Sequence, residues 1–591
     1  MTGRPSRRPE PLAPRRLRAE VRERIRVDGS VAEPLDGDGL AQTVDELVRL
    51  GVESLAVVFL HAYRNPAHEQ AALELIEARH PDLAVSLSSA VAPEIREYER
   101  ASTTLVNAFI KPLAARYLDH MAAELARRGV SATLFPMLSN GGLAGLDDAK
   151  RTPVQLLESG PAAGALAAAH LGRAEGGDRL LAFDMGGTTA KLSLVDDGQP
   201  LVAYQFEAAR QRRFMEGSGL PVRISTVELI EIGAGGGSIA RRDAIGLLKV
   251  GPDSAGSQPG PAAYGRGGME PTVTDADFML GYLNPEFFAG GSITVDMDTC
   301  RGAIERLAVE TDMTAERLAW GIHDVVNENM ASAARVHIAE RGRSPKDYTL
   351  LPTGGAGPVH AYGLARKLGL SRIVCPAAAG VASALGLLVA PARVDRVATV
   401  SMALDTLDWS DLEAAFMALE ADARAVVART GLSAGEANVQ RLADVRYVGQ
   451  AHELVVELPD GPYAAGSREA LLAAFERQYR ENFARTPPDV PIEFLNLRVR
   501  VQAAVPEAGA AGTQPGRVTC RARKETRAVY FPEGGFRDVP VYDRYALGPG
   551  ETYAGPAIVE ERESTLVIGP EARFSVAPSG AIVIDLQGDR A

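Results

Sequence analysis

Leu180-Leu181-Ala182-Phe183-Asp184-Met185-Gly186-Gly187-Thr188-Thr189-Ala190-Lys191-Leu192-Ser193-Leu194-Val195 is the stretch whose reading decides the fold. Apolar residues lead in, Gly186-Gly187 interrupt them, and Leu192 and Leu194 alternate with Ser193 on the way out. That pattern predicts strand, tight glycine turn, strand. An acid closes the first strand, and two hydroxyl residues follow the glycines. These groups suit a magnesium-bound polyphosphate. Glycines let backbone N–H groups approach the phosphates, hydroxyls add donors, and the carboxylate reaches the metal or its water. A plain hairpin with a glycine turn and a surface aspartate is the other reading of the same residues.

Further glycine turns lie on either side. Upstream, Glu158-Ser159-Gly160-Pro161-Ala162-Ala163-Gly164 opens an alanine-rich helix to about His170, which allows close packing or an anion at the helix N-terminus. Downstream, Leu229-Ile230-Glu231-Ile232 runs into Gly233-Ala234-Gly235-Gly236-Gly237-Ser238. Thr349-Leu350-Leu351 reads as a strand feeding Pro352-Thr353-Gly354-Gly355-Ala356-Gly357-Pro358, with a helix from about Val359. Strand, glycine turn and helix N-terminus form an anion- or nucleotide-cradling arrangement. None of these turns matches G-x-G-x-x-G after a strand, and G-x-x-x-x-G-K-[ST] is missing, which excludes a Rossmann fingerprint and a P-loop.

The residues before the hairpin alternate strands and helices, the mark of an α/β layer. Helices are expected at Ala41–Leu50 and Pro66–Ala78, and strands at Glu53–Leu60, Ala84–Ser88 and Thr133–Leu138. Ala101–Arg128 is the longest helical pattern, with Ser102 as its cap, Pro112 inside it, and Leu105, Phe109, Leu113, Tyr117, Met121 and Leu125 at four-residue spacing. Gly251–Gly268 reads as a long loop, followed by Thr272–Asp277, where Asp275 and Asp277 look like helix caps. Leu318–Ala339 is helical, and His360 is expected to cap or pack at a helix start. Past about residue 400 the chain becomes strand-rich.

Length and composition bound the answer. At 591 residues the chain needs several domains or subdomains. A net charge of −13 argues against a general nucleic-acid surface. Cys300, Cys375 and Cys520 are far apart, so neither a disulfide framework nor a thiolate zinc site is suggested, and reduced thiols point to a cytoplasmic location. No apolar run reaches membrane-spanning length, and there is no HExxH. The Arg- and Pro-rich segment from Arg4 to Arg26 reads as a solvated entry segment.

Taken together, these motifs resemble the hydantoinase A/5-oxoprolinase family. Besides the turns above, the residues that carry the resemblance include Glu94-Ile95-Arg96-Glu97-Tyr98-Glu99-Arg100, Ser102-Thr103-Thr104-Leu105-Val106-Asn107-Ala108 and Ser139-Asn140-Gly141-Gly142. Gly251-Pro252-Asp253-Ser254-Ala255-Gly256, Pro271-Thr272-Val273-Thr274-Asp275-Ala276 and Arg446-Tyr447-Val448-Gly449-Gln450 extend it along nearly the whole chain. The family is similar to the actin/sugar-kinase/Hsp70 two-lobed ATPases. The resemblance therefore implies an α/β core of that type, its first lobe incomplete here, and a C-terminal β-rich α+β domain. Residues 1–100 would be the remainder of the N-terminal lobe, 101–400 the core with its nucleotide motifs, and 401–591 the β-rich domain.

By the same resemblance the cofactors are ATP and Mg2+, and the reaction is ATP-dependent opening of a small cyclic amide such as a hydantoin or 5-oxoproline. Asp184 is the expected catalytic and metal-binding carboxylate, and Gly186, Gly187, Thr188 and Thr189 the phosphate donors. Gly354, Gly355, Ala356 and Gly357 form the adenosine-side turn. Glu231 is a candidate catalytic group, with hydrogen bonding to the Gly233–Ser238 turn as its alternative; Glu158 and Asn140 are further candidates. The expected partner is a hydantoinase B-type subunit in a hetero-oligomer, without nucleic acid or membrane. The family's first phosphate hairpin, an Asp-x-Gly-Gly-Thr, is expected ahead of residue 1. A ketone carboxylase subunit, or a non-catalytic assembly subunit, are the alternatives. At Ala390-Pro391-Ala392-Arg393-Val394-Asp395, Pro391 and Val394 stand where the family pattern has Asp and His, and Asp395 is kept.

Overall fold

The computed structural model describes residues 9–210, 217–432, 437–483, 485–487, 490–503 and 522–586. Cys520 and the residues up to Arg8 of the Arg/Pro-rich segment fall outside them. The described chain is mixed α/β. By packing, it divides into two compact units, each assembled from three separate stretches.

One unit comprises residues 160–201, 227–389 and 507–591. Its backbone is a nine-stranded sheet. The strand order is Leu229–Ile232, Ala190–Asp196, Leu180–Met185, Thr349–Thr353, Arg372–Cys375, Ile582–Leu586, Ala572–Val576 and Thr552–Ala554, with Gln199–Pro200 on the side of Ala190–Asp196. Leu180–Met185 pairs antiparallel with Ala190–Asp196 and parallel with Thr349–Thr353. Leu180, Leu181, Phe183 and Met185 are fully buried, as a central strand covered on both faces requires. Helices Val273–Met279, Ala315–Glu340 and Gly357–Leu368 belong to its main core. A second sheet of Arg523–Phe531, Gly535–Asp543, Ala557–Glu560 and Thr565–Ile568 lies in the same unit.

The other unit comprises residues 1–159, 202–226 and 390–506. Ser54–Val57 and Ala84–Leu87 pair in parallel, and Gly37–Arg49 packs on Ala67–Arg79. Arg393–Ala403, Ile492–Gln502, Asn438–Tyr447 and Leu454–Glu457 form an antiparallel sheet, with Trp409–Thr430 packed on it. Its core is Leu412, Phe416, Phe475, Phe494 and their neighbours.

Several local expectations change. The long helix begins at Glu97, not at Ser102, and runs to Arg127 through Pro112. Its buried residues are polar at Arg100, Thr103, Thr104 and Asn107 and apolar at Val106, Ala108 and Leu118, while Phe109, Leu113 and Tyr117 are 63–67% exposed. Thr133–Leu138 forms no strand: Met137 makes one isolated bridge, to Leu143. Pro136 breaks the run by lacking an N–H. The expected loop from Gly251 is in part a strand, Leu248–Ser254, paired with Ser238–Arg242.

Candidate active site

Asp184 is the sole charged residue on a buried strand, next to the turn. Strand register continues it into a polar row. Thr353 lies beside it on one side, Lys191 on the other, and Glu231 beyond Lys191. Opposed residues on paired strands share a face, so these four polar side chains belong to one edge of the sheet. Burial holds the Asp184 carboxyl above its ordinary range, with Lys191 pulling it back. Glu231 sits at the open end, half exposed, with Lys191 Nζ 3.7 Å away. Its charged partner is therefore this lysine.

The turn that follows is fixed by its carbonyls. Gly186 N–H donates to Thr189 O at 3.1 Å. Gly236 and Gly237 N–H donate to the oxygens of Gly186 and Gly187 at 3.0 and 2.6 Å, and Thr274 N–H donates to Gly236 O at 2.7 Å. The Gly233–Ser238 turn is thus a buttress. A Cβ at Gly235 would lie 2.6–2.7 Å from the Gly187 and Thr188 backbone. Gly187 and Thr188 themselves are exposed at the tip, and a Cβ at Gly186 or Gly187 would meet nothing within 4 Å.

The third turn closes on the carboxylate. Gly354 has φ +80°, and a Cβ there would overlap Asp184 Oδ1 and Met185 O. Ala356 N–H donates to Met185 O at 3.0 Å, and Gly354 N–H to Ala379 O at 2.9 Å. The Ala378 and Ala379 amides in turn donate to the buried Glu561 carboxylate at 3.2 and 3.1 Å. On the other side, Gly164 of helix Ser159–Ala174 approaches closely: a Cβ there would lie 3.6 Å from Asp184 Oδ2.

Asp184, Gly186–Thr189, Gly354–Gly357 and the row end Glu231 therefore all lie in one unit, and the turns converge on Asp184. Asn140 and Glu158 belong to the other unit. Asn140 Nδ2 donates to Asp395 Oδ2 at 2.6 Å, and Glu158 N–H to Ser139 Oγ at 3.3 Å. Asp275 is the expected cap: it closes a capping box with Thr272 and accepts from Ala263 N–H at 2.7 Å. Asp277 is not a cap, because its carboxylate faces His323. His360 is fully buried, with Nδ1 2.9 Å from Asn327 Oδ1.

Sequence reasoning passed over Lys191, Gly164 and Glu561. Lys191 was within reach, since a turn over residues 186–189 places residue 191 opposite 184. Glu561 carried no local signal, because its role depends on a contact with a distant turn.

The arrangement offers a desolvated carboxylate beside one glycine turn exposed at Gly187 and Thr188 and a second exposed at Gly355. That is what binding a metal-chelated phosphate chain requires. The Hydantoinase/oxoprolinase pattern matches residues 100–396, its N-terminal region matches 4–80 and its C-terminal domain matches 404–577. Caprolactamase subunit alpha of Pseudomonas jessenii is 34% identical, over 96% of this chain and 81% of its own. The acetophenone carboxylase gamma subunit of Aromatoleum aromaticum is 31% identical, over 98% and 80%. The crystal structure of the Pseudomonas jessenii ATP-dependent caprolactamase superposes with a TM-score of 0.84, at 32% identity, over 99% of this chain and 84% of the other. With turns, register and relatives in agreement, the chain belongs to the hydantoinase/oxoprolinase family.

Proposed function

We propose that this chain is the nucleotide-using subunit of an enzyme that spends ATP to open a small cyclic amide, on a two-lobed core of the actin/sugar-kinase/Hsp70 type. The observation that carries the reading is the state of Gly186 and Gly187. Neither has positive φ, and neither has a neighbour that a methyl group would touch. Packing does not ask for glycine there; close approach of a ligand does. The ATP dependence of the caprolactamase supports the same reading.

An unstrained amide is a poor electrophile with a poor leaving group. ATP supplies a phosphoryl group that turns the amide oxygen into a leaving group. The protein's contribution is positioning and charge neutralisation. Asp184 would hold Mg2+ directly or through water, and the donor set fits: a buried carboxylate, kept open by Gly354 and Gly164. The Gly187 and Thr188 backbone, with the Thr188 and Thr189 hydroxyls, would donate to phosphate oxygens, and Gly354–Gly357 would line the adenosine side. Lys191, opposite Asp184, would balance charge between Asp184 and Glu231. Glu231, at the open end of the row, would be the group facing the ring. A B-type subunit would complete the hydrolysis, in a hetero-oligomer; the relatives named above as alpha and gamma subunits support this arrangement.

The test is nucleotide turnover by this chain with and without a B-type subunit. ATP hydrolysis dependent on a five- to seven-membered cyclic amide is expected. No ATP binding at millimolar nucleotide, even with the partner, overturns the reading. The acetophenone carboxylase likeness favours a second reading, in which a ketone and bicarbonate replace the lactam; turnover with those substrates alone would select it.

A further inference from the structure

We propose that Asp277, His323 and His360 bind one divalent ion of the zinc class, which ties three helices together beneath the Gly354–Gly357 turn. The three side chains come from Val273–Met279, Ala315–Glu340 and Gly357–Leu368, and none is more than 4% exposed. His323 Nδ1 lies 2.8 Å from Asp277 Oδ1, and His360 Nε2 lies 3.4 Å from Asp277 Oδ2. All three residues offer donor atoms within 4.8 Å of one another. The imidazoles are stacked, 4.5 Å apart and 16° from parallel, so one ring turns about its Cβ–Cγ bond when both lone pairs meet on the ion.

Hydrogen bonding leaves a gap that wants a cation. In the tautomer that carries its proton on His360 Nδ1, Asn327 Oδ1, 2.9 Å away, accepts it. The lone pair of a neutral ring is then on Nε2, which has no hydrogen-bond partner and is fully buried. It points toward a carboxylate oxygen, another acceptor. Two acceptors facing each other in a dry interior are unfavourable unless something positive lies between them.

The donor set specifies the class of ion. Two imidazole nitrogens and one carboxylate make three protein ligands, the set with which zinc takes a water as its fourth ligand. Zinc–ligand bonds of about 2.0–2.2 Å put neighbouring donors roughly 3.3 Å apart, and the observed 2.8 and 3.4 Å bracket that separation. Imidazole excludes magnesium and calcium as the natural occupants. Trp320 stacks on His323 at 5.6 Å and Tyr282 meets it edge-on at 5.1 Å, an apolar shell suited to a structural ion. Binding through His323 Nδ1 puts that ring's one proton on Nε2, so the imidazole stays neutral.

The experiment uses the untagged full-length chain, stripped with a chelator, checked by circular dichroism and titrated with Zn2+ and with Co2+. One equivalent per chain, a higher melting temperature and a tetrahedral cobalt absorption are expected. His323→Gln and His360→Gln should each weaken uptake by more than the roughly 10–100-fold that loss of a mere supporting hydrogen bond causes. A folded, stripped chain that takes up neither ion overturns the proposal whatever the variants do. The gap then holds a proton, with the Asn327 amide turned over. An equivalent retained at full affinity in both variants also overturns it.

Discussion

At the scale of single residues, Asp184 and Gly187 separate stability from function. The raised carboxyl of Asp184 holds its proton more tightly in the folded chain than in the unfolded one. Acidification therefore favours the fold, and ionisation at neutral pH costs it. Asp184→Asn removes that cost. We expect the melting temperature of the nucleotide-free chain to rise while ATP turnover falls by about 100-fold or more. Calorimetry and a phosphate-release assay read the two effects, and a drop in both would place Asp184 among the residues that hold the fold. Gly187→Ala meets open space, so stability should change by no more than about 0.5 kcal/mol. Nucleotide affinity should fall at least about tenfold, as isothermal titration would show; unchanged affinity would remove phosphate from the turn.

At the scale of elements, glycines that look alike in the sequence do different work. Gly235 abuts the backbone of Gly187 and Thr188, and Gly354 sits against Asp184 at positive φ. Gly235→Ala must push the hairpin aside, at about 1–3 kcal/mol, visible as a lower urea midpoint. The hairpin was legible because its information is local: apolar run, turn, alternation. The helices near 41–50, 66–78 and 318–339 were legible from periodicity, and the structure places them at Gly37–Arg49, Ala67–Arg79 and Ala315–Glu340. The face of Glu97–Arg127 was not. Four-residue spacing of Phe109, Leu113 and Tyr117 marks a helix but does not say which side is buried. Asn107, donating to Ser86 Oγ at 3.0 Å and accepting from Val154 N–H at 3.1 Å, ties down the polar side instead. A strand at Thr133–Leu138 failed for a related reason: local propensity cannot supply a partner strand.

At the scale of the molecule, each unit is stitched from distant stretches. In one, Asp395 joins all three. It accepts from Asn140 Nδ2 at 2.6 Å and from Arg500 Nε at 3.1 Å, and Arg500 Nη2 donates to Tyr204 Oη at 2.9 Å. Burial alone would raise its pKa, but Arg393 and Arg500 hold it down to about 2. A depressed carboxyl stabilises the fold above its unfolded pKa and loses that contribution as pH falls through the folded value. The fall from an ordinary aspartate value of 3.8 to about 2 corresponds to about 2 kcal/mol at neutral pH. The urea midpoint should therefore decline between roughly pH 4 and 2, and less steeply in Asp395→Asn, which is already weakened at pH 7. An identical slope in the variant would count against the assignment. In the other unit, a chain stopped before Thr552 lacks three strands of the nine-stranded sheet. It should be insoluble or fail to show cooperative melting; a soluble, cooperative product would mean that those strands are dispensable.

The pairing of Arg372–Cys375 with Ile582–Leu586 also sets a timetable. On the ribosome, Asp184 and its hairpin emerge long before the strand that covers this edge and before Glu561, which fastens the turn holding Gly354. Every nascent copy thus spends much of its synthesis with an open sheet edge, a template for pairing with other chains. The turn that closes on Asp184 is fastened only once Glu561 has been made, so its closure reports that synthesis has passed residue 561.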